Sequence, residues 1–191
     1  MFLLQQPSDQ QIRSFISAQQ QSQFSYGPLG LSRDSTRERA PVGYNFDHNR
    51  VQLGAGPAAF DSAMAAIRRW KMFDVDWMPL CWDDTPIETG ANVAILVKHL
   101  GFWSINGCRI VYVIDEPERY GFAYGTLTEH AEIGEEQFMV EWNRQDDSVW
   151  YDLVAVSKPR LMARFGYPYA RSLQRRFARD SKRAMQRAVL Q

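Results

Sequence analysis

The chain has 191 residues, 22 basic against 22 acidic side chains, and 45% hydrophobic and 13% aromatic content. That length suits one domain, or one domain with an arm, and six tryptophans supply enough apolar material to exclude global disorder. A formal charge of zero argues against an electrostatically driven nucleic-acid binder, so no nucleic-acid partner is expected. The total hides a split: residues 158–191 hold ten Lys or Arg and one acid, whereas residues 1–157 hold 12 bases and 21 acids.

In chain order, Met1–Leu4 is too short for a signal h-region and lacks a basic flank. No apolar run approaches the roughly 20 residues that span a bilayer. Cys81 and Cys108 therefore read as reduced, buried thiols, and the expected location is the cytoplasm. Ser8 with Gln11 makes a capping box, and Ile12, Phe15 and Ile16 repeat at helical spacing, which predicts a short helix from about Asp9 to Gln20. Residues 24–41 read as loop, so residues 1–40 form an N-terminal arm and residues 41–191 one domain. A first strand ends near Leu53. Pro57 then opens a helix whose apolar face is Phe60, Ala63, Met64, Ile67 and Trp70.

Strand signals follow for almost 90 residues. Phe73–Met78 alternates, Ala91–Val97 is a compact apolar run, and Asn106-Gly107 between Phe102–Ile105 and Cys108–Ile114 predicts a two-residue hairpin. Tyr120–Leu127, Phe138–Arg144 and Trp150–Val156 continue an antiparallel meander. The chain ends in a long helix from about Tyr169 to Leu190, striped with Leu173, Phe177, Ala184 and Ala188. The fold class is α+β: a curved antiparallel sheet gripping a long C-terminal helix, with a pocket between them.

One motif is a decoy. Gly54-Ala55-Gly56-Pro57-Ala58-Ala59 matches G-x-G-x-x-A, and Asp74 lies 20 residues beyond Gly54. The preceding strand is too polar for a central parallel strand, Pro57 lacks an N–H for a pyrophosphate, and hairpins stand where crossover helices belong. No cofactor is expected.

Chemistry-bearing candidates are few. On Tyr120–Thr126 the period of two puts Tyr120, Phe122, Tyr124 and Thr126 on one face and Gly121, Ala123 and Gly125 on the other, a bare face that a helix or ligand could approach closely. His130 with Glu135 and Glu136 could supply an acid and a base; the duller alternative, a solvated loop, is favoured. The three histidines stand apart and no Cys-x-x-Cys occurs, so no metal site is expected. Gly-x-Ser-x-Gly is absent, and Cys81 looks packed rather than activated. Asp180 falls inside the apolar stripe of the last helix, where it either pairs with Arg176, Arg183 or Arg109 or anchors a ligand. The basic face of that helix either touches an anionic surface or neutralises the ten acids of residues 115–147, the second being favoured.

Several ordered blocks carry a resemblance. Phe24-Ser25-Tyr26-Gly27, Pro41-Val42-Gly43-Tyr44, Val51–Gly56, Gly121–Leu127, His130, Gly134-Glu135-Glu136, Ser157-Lys158-Pro159, Gln174–Phe177 and Asp180-Ser181 resemble the domain of unknown function nineteen-ninety family, over about residues 24–189. That family is similar to the START-like, birch-pollen-allergen-like group, and the resemblance implies a helix-grip fold that holds apolar ligands between sheet and helix. It implies no particular reaction. The leading expectation is a small, largely apolar ligand bound in that cavity, with Tyr124, Thr126, Phe177 and Asp180 as contacts and His130 with Glu136 at the mouth. Two others stand beside it: an enzyme using His130 and Glu136 as acid and base, and a module whose basic helix makes peripheral contact with an anionic membrane.

Overall fold

The computed structural model describes residues 2–33, 36–82, 84–160 and 167–190. Its elements are β1 (Phe2–Leu3), α1 (Asp9–Ala18), β2 (Asn45–Ala55), α2 (Gly56–Arg68), β3 (Leu80–Cys81), β4 (Asn92–His99), β5 (Phe102–Glu116), β6 (Arg119–Thr126), β7 (Glu132–Asn143), β8 (Ser148–Pro159) and α3 (Tyr167–Val189). The strands form one antiparallel sheet in the order β2-β8-β7-β6-β5-β4-β3, with β1 beside the start of β5. After β2 the chain crosses the concave face through α2 to the far edge, then meanders back until β8 pairs with β2. Register shifts at Gln52/Gly54 and Ile110/Tyr112 are bulges, which increase local twist and bend the sheet. The long α3 lies across the concave side, as a helix-grip fold requires.

Local chemistry explains most boundaries. The Ser8 side chain accepts from the Gln11 amide while the Gln11 side chain accepts from the Ser8 amide, closing the capping box of α1. Pro57 sits in the first turn of α2, where its missing N–H costs nothing. That helix ends before Trp70, which adopts a left-handed conformation with φ 54°. In α3 the buried residues Phe177, Ala178, Ser181, Ala184 and Met185 fall at helical spacing on the face toward the sheet.

The inward-facing residues of the strands taper. On β6 they run Tyr120, Phe122, Tyr124, Thr126; on β7 backwards Val140, Phe138, Glu136, Gly134; on β8 Val149, Tyr151, Leu153, Ala155, Ser157. Cys108 and Ile110 on β5 give way to Asn106 and Ser104, and Leu53 and Val51 on β2 to Asn49 and Asp47. At the bulky end Trp70, Phe73, Phe122, Tyr124, Phe138 and Phe177 interlock with ring centroids 4.7–6.3 Å apart. Each such ring contributes about 1.5–3 kcal/mol of burial. One buried polar bridge, Tyr151 Oη to Ser181 Oγ at 2.8 Å, sits in this end and ties helix to sheet. At the other end small and polar side chains leave the helix unsupported from below.

The outer face is closed by the N-terminal arm. Ile12 and Phe15 of α1 pack with Ala94, Leu96 and Ile105. Farther along, Glu135 is buried and accepts from Tyr26 Oη (2.7 Å), Gly30 N (2.8 Å), Ser32 N (2.9 Å) and the Ser32 hydroxyl. To reach it, Tyr26 crosses directly over Gly125, where a Cβ would collide with the phenol ring and its hydroxyl. At Gly125 the bare face of β6 thus receives this arm.

Two expectations from sequence need correction. Asn106-Gly107 is no hairpin: β5 runs unbroken through it, Asn106 pairs with Ile95 and Gly107 with Ala94. The Asn106 amide donates to Ser104 Oγ at 3.1 Å, and Gly107 leaves room for the buried Gln19 side chain, whose atoms would lie 3.2–3.4 Å from an added Cβ. The turn falls instead at Leu100 and Gly101, both at positive φ, 49° and 79°. The alternation over Phe73–Met78 is not a strand; Lys71–Phe73 is a 3-10 turn that delivers Met72 and Phe73 to the core. The dinucleotide-like motif spans the end of β2, an edge strand that pairs with β8, and the start of α2, and the Gly56 amide donates to Asp147 O (2.8 Å) in the β7–β8 turn.

Gly125→Ala is expected to displace Tyr26 and cost about 1–3 kcal/mol in urea unfolding. In a Tyr26→Ala background the same substitution should cost almost nothing. Equal penalties in the two backgrounds would show that Tyr26 is not what Gly125 accommodates.

Candidate functional site

The taper opens a cavity of about 400 Å³ between the concave sheet and the first half of α3. Trp77, Ile95, Val97, Leu153, Leu173 and Phe177 form its apolar walls, with Met78, Ala155 and Ala178 between them. Tyr124, Thr126, His130, Glu132, Glu136, Ser157 and Gln174 bring polar atoms to its surface, and Asp47, His99, Tyr169, Arg171 and Arg175 also line it.

Glu136 is the central polar group. Tyr124 Oη donates to its Oε2 at 2.6 Å, and no other described residue bonds this carboxylate. Burial pushes the Glu136 carboxyl up to about 7 against the lowering pull of that hydrogen bond, and the charges of Glu132 and Asp47 push the same way. Burial likewise holds the Tyr124 phenol well above its ordinary range, so it keeps its proton and serves as a donor. Ala155 stands directly across the ladder from Glu136 and leaves the carboxylate uncovered.

His130 and Glu136 line the same cavity but share no hydrogen bond. The Glu132 amide donates to His130 Nδ1 at 2.9 Å, which reserves that nitrogen's lone pair and puts the proton on Nε2. Burial lowers His130 to about 4, so it is neutral near pH 7. His130 lies in the loop before β7, half-buried, and lines the cavity. Glu135, by contrast, points to the outer face and is saturated by the arm. Thr126 Oγ1 accepts from Gly134 N at 2.9 Å and lies 2.6 Å from Ser25 Oγ, so it secures the strand end as well as lining the cavity. Phe177 covers the cavity floor against Phe73 and Phe138.

Asp180 does not line the cavity. Its carboxylate accepts from Trp77 Nε1 at 3.1 Å and Arg179 Nε at 2.9 Å and pairs with Arg176 at 3.6 Å. Burial raises its carboxyl, but the bonds from Arg179 and Trp77 outweigh that and hold it below the usual value. Arg176 also lies 4.5 Å over the Trp77 ring. Asp180 thus acts on the cavity through the indole that forms one wall, and its pairing with Arg176 is one of the alternatives left open by the sequence.

The other charges pair differently from the sequence expectation. Arg171 of α3 makes a two-point pair with Asp47 of β2, one arm of it at 2.7 Å, and Gln174 Nε2 donates to Glu132 at 2.7 Å. Acids of residues 115–147 pair with Arg119, Arg144 and Arg50, none of them on α3. The helix is therefore not neutralised by the acidic strands through direct ion pairs among the described residues. Sequence reasoning missed Asp47, Trp77, Glu132, Arg171 and Gln174. For Asp47 and Glu132 a signal existed: both sit at inward parity on strands that also carry apolar inward residues, Val51 and Leu53 on β2 and Phe138 and Val140 on β7.

Among the described residues no group of three or more His, Cys, Asp or Glu is placed to hold a metal ion. Cys81 and Cys108 are free and buried, and burial raises both thiols, Cys81 to about 11, so neither is an activated nucleophile. No helix among the described residues is long and apolar enough to cross a membrane.

The two perturbed groups have opposite effects on stability. Glu136 binds its proton more tightly when folded, a contribution fully present below its ordinary 4.5 and lost as pH rises through about 7. Neutral burial of His130 contributes stability above its ordinary 6.5 that is lost as pH falls through about 4. Between these ordinary values the slopes oppose each other. Urea titrations at stepped pH should show Glu136→Gln gaining roughly 2 kcal/mol relative to wild type as pH rises across that window, and His130→Asn losing a similar amount. A Glu136→Gln profile parallel to wild type would mean that the carboxyl is not desolvated.

Comparison with known proteins places this geometry. A "UPF0548 protein" of Deinococcus radiodurans is 38% identical over 201 residues, covering 99% of both chains. A "UPF0548 protein" of Dictyostelium discoideum is 36% identical over 207 residues, covering 99% of this chain and 96% of that one. The crystal structure of Ara h 8.0201 superposes with a TM-score of 0.52 at 14% identity, covering 78% of this chain and 99% of the other, a similarity of fold alone. With its family match running over residues 25–184, the chain belongs to the family described as "Domain of unknown function (DUF1990)".

Proposed function

We propose that this protein binds one small, largely apolar molecule in the cavity between sheet and α3. The observation that carries this reading is the cavity itself: about 400 Å³, walled mainly by apolar side chains, with the hydrogen-bonded pair Tyr124 and Glu136 set into it. Cavities with apolar walls and a few placed polar groups are how proteins hold small molecules. A void of this size also forfeits dispersion contacts along its lining, a cost that an occupant recovers. Thr126, His130 and Phe177 contribute contacts, and Asp180 steadies Trp77. Native mass spectrometry of protein from its own host is expected to show one retained small molecule. Ala155→Phe, which fills the space opposite Glu136, should lose that molecule while changing stability by no more than about 1–2 kcal/mol. A wild-type protein that is empty, and that binds no apolar probe, would overturn the reading.

A second reading is favoured by Glu136. A carboxyl poised at about 7 in an apolar cavity has the property of a general base or acid near neutral pH. In this reading Glu136 transfers the proton, Tyr124 stabilises its ionised form, and neutral His130 donates from Nε2 to the substrate. A turnover found by metabolite screening should fall about 100-fold or more in Glu136→Gln with the bound molecule retained, and should rise with pH to a plateau above about 7 where Glu136 acts as base. Undiminished turnover in that variant would overturn Glu136 as the acid or base, and a screen that finds no turnover would leave binding as the function.

A further inference from the structure

The charges around the cavity say more about its occupant than its apolar walls do. β5 and β8 bring no charged or titratable side chain to it; the other elements do. From β2 comes Asp47, from β7 Glu132 and Glu136, from β6 Tyr124, from the loop before β7 His130, from β4 His99, and from α3 Arg171 and Arg175. Arg171 is committed to Asp47 through both of its terminal nitrogens, so that pair cancels. Arg175 is exposed and its Nε donates to the Arg171 carbonyl at the helix start. Glu132 has Gln174, a neutral donor. Glu136 has Tyr124, another neutral donor, on Oε2, and its Oε1 is neither bonded nor sealed off by protein.

Among the described residues no cation bonds Glu132 or Glu136; their partners are the neutral donors Gln174 and Tyr124, and Arg171 is held by Asp47. We infer that the ligand is an apolar molecule bearing a protonated amine, or a comparably strong N–H donor, seated on Oε1 of Glu136. This rests on the binding reading above and deepens it. The same charges disfavour a fatty acid or another amphiphilic anion, whose head would meet Glu136 and Glu132 in a medium that screens poorly. A cation there forms a charge-assisted hydrogen bond and neutralises a carboxylate that no other described residue neutralises. Burial raises the Tyr151 phenol and the Cys108 thiol, and the charge of Glu136 adds to both.

The test uses three probes with one chain length, decylamine, decanol and decanoic acid, titrated calorimetrically into the full-length protein at pH 8, where Glu136 is ionised. Decylamine should bind about tenfold or more tightly than decanol, and decanoic acid most weakly. Glu136→Gln should bring decylamine to the decanol affinity and leave decanol unchanged. Tyr124→Phe, which keeps the carboxylate and removes its donor, should preserve or increase the amine preference, so the inference does not depend on one variant folding. Ala155→Phe should weaken all three, which places them in the cavity. Equal affinities for the three probes, or a preference for decanoic acid, overturn the inference while leaving apolar binding intact. Failure of all three to bind, or binding unaffected by Ala155→Phe, overturns both.

Discussion

The constraint on which the rest of this molecule depends is the change of side-chain size along the concave face of its sheet. A helix laid over a curved sheet rests on whatever projects from it, and here one half projects rings and the other projects Thr126, Gly134, Ala155 and Ser157. Protein interiors pack too densely for such a difference to be absorbed by small adjustments, so the bulky end fixes the height of α3 and the small end is left hollow. Phe177 stands at the boundary, touching Phe73 and Phe138 on one side and the cavity on the other. The void is a product of the core and not a separate invention.

A hollow in a core this apolar sets terms for any polar group within it. Tyr124 and Glu136 meet those terms as a pair, since the phenol retains its proton and satisfies one carboxylate oxygen. The arrangement leaves the second oxygen open, and burial then acts on the carboxyl without a cation to oppose it. Stability and function pull apart at this point: a core built for stability alone would place Leu or Phe opposite Ala155. Trp77 shows the reverse strategy. Its indole faces the cavity as wall, while its N–H is held from behind by Asp180 and its ring is covered by Arg176.

Much of the architecture was legible because periodicity reports it directly. The alternation on β6, β7 and β8 and the stripe of α3 mark faces, and faces define a sheet covered by a helix. Tyr124 and Glu136 could be identified as residues that matter, but not as partners, because their contact is made across the β6–β7 ladder. Asp180 misled for a related reason. Helical geometry put its Cα near the apolar stripe, but its side chain reaches Trp77, which lies in a non-strand segment whose alternation reads as a strand. Asn106-Gly107 misled because a turn signal of two residues is overruled when flanking strands continue to pair; the actual turn, at Leu100 and Gly101, carries half of the usual signature. The course of the N-terminal arm was illegible, since its anchor is one carboxylate more than 100 residues away in sequence.

Glu135 and Glu136 are neighbours of identical chemistry with opposite fates. One is turned outward and saturated by four donors from the arm; the other is turned inward with one. Because successive residues of a strand alternate faces, a slip of one position in β7 would exchange them. The arm would lose its clasp and the interior would gain a different carboxylate, in one step and at both surfaces. Pairing of β7 is thus checked from two sides at once, and the arm, though remote from the cavity, acts as a lock on which acid the cavity contains.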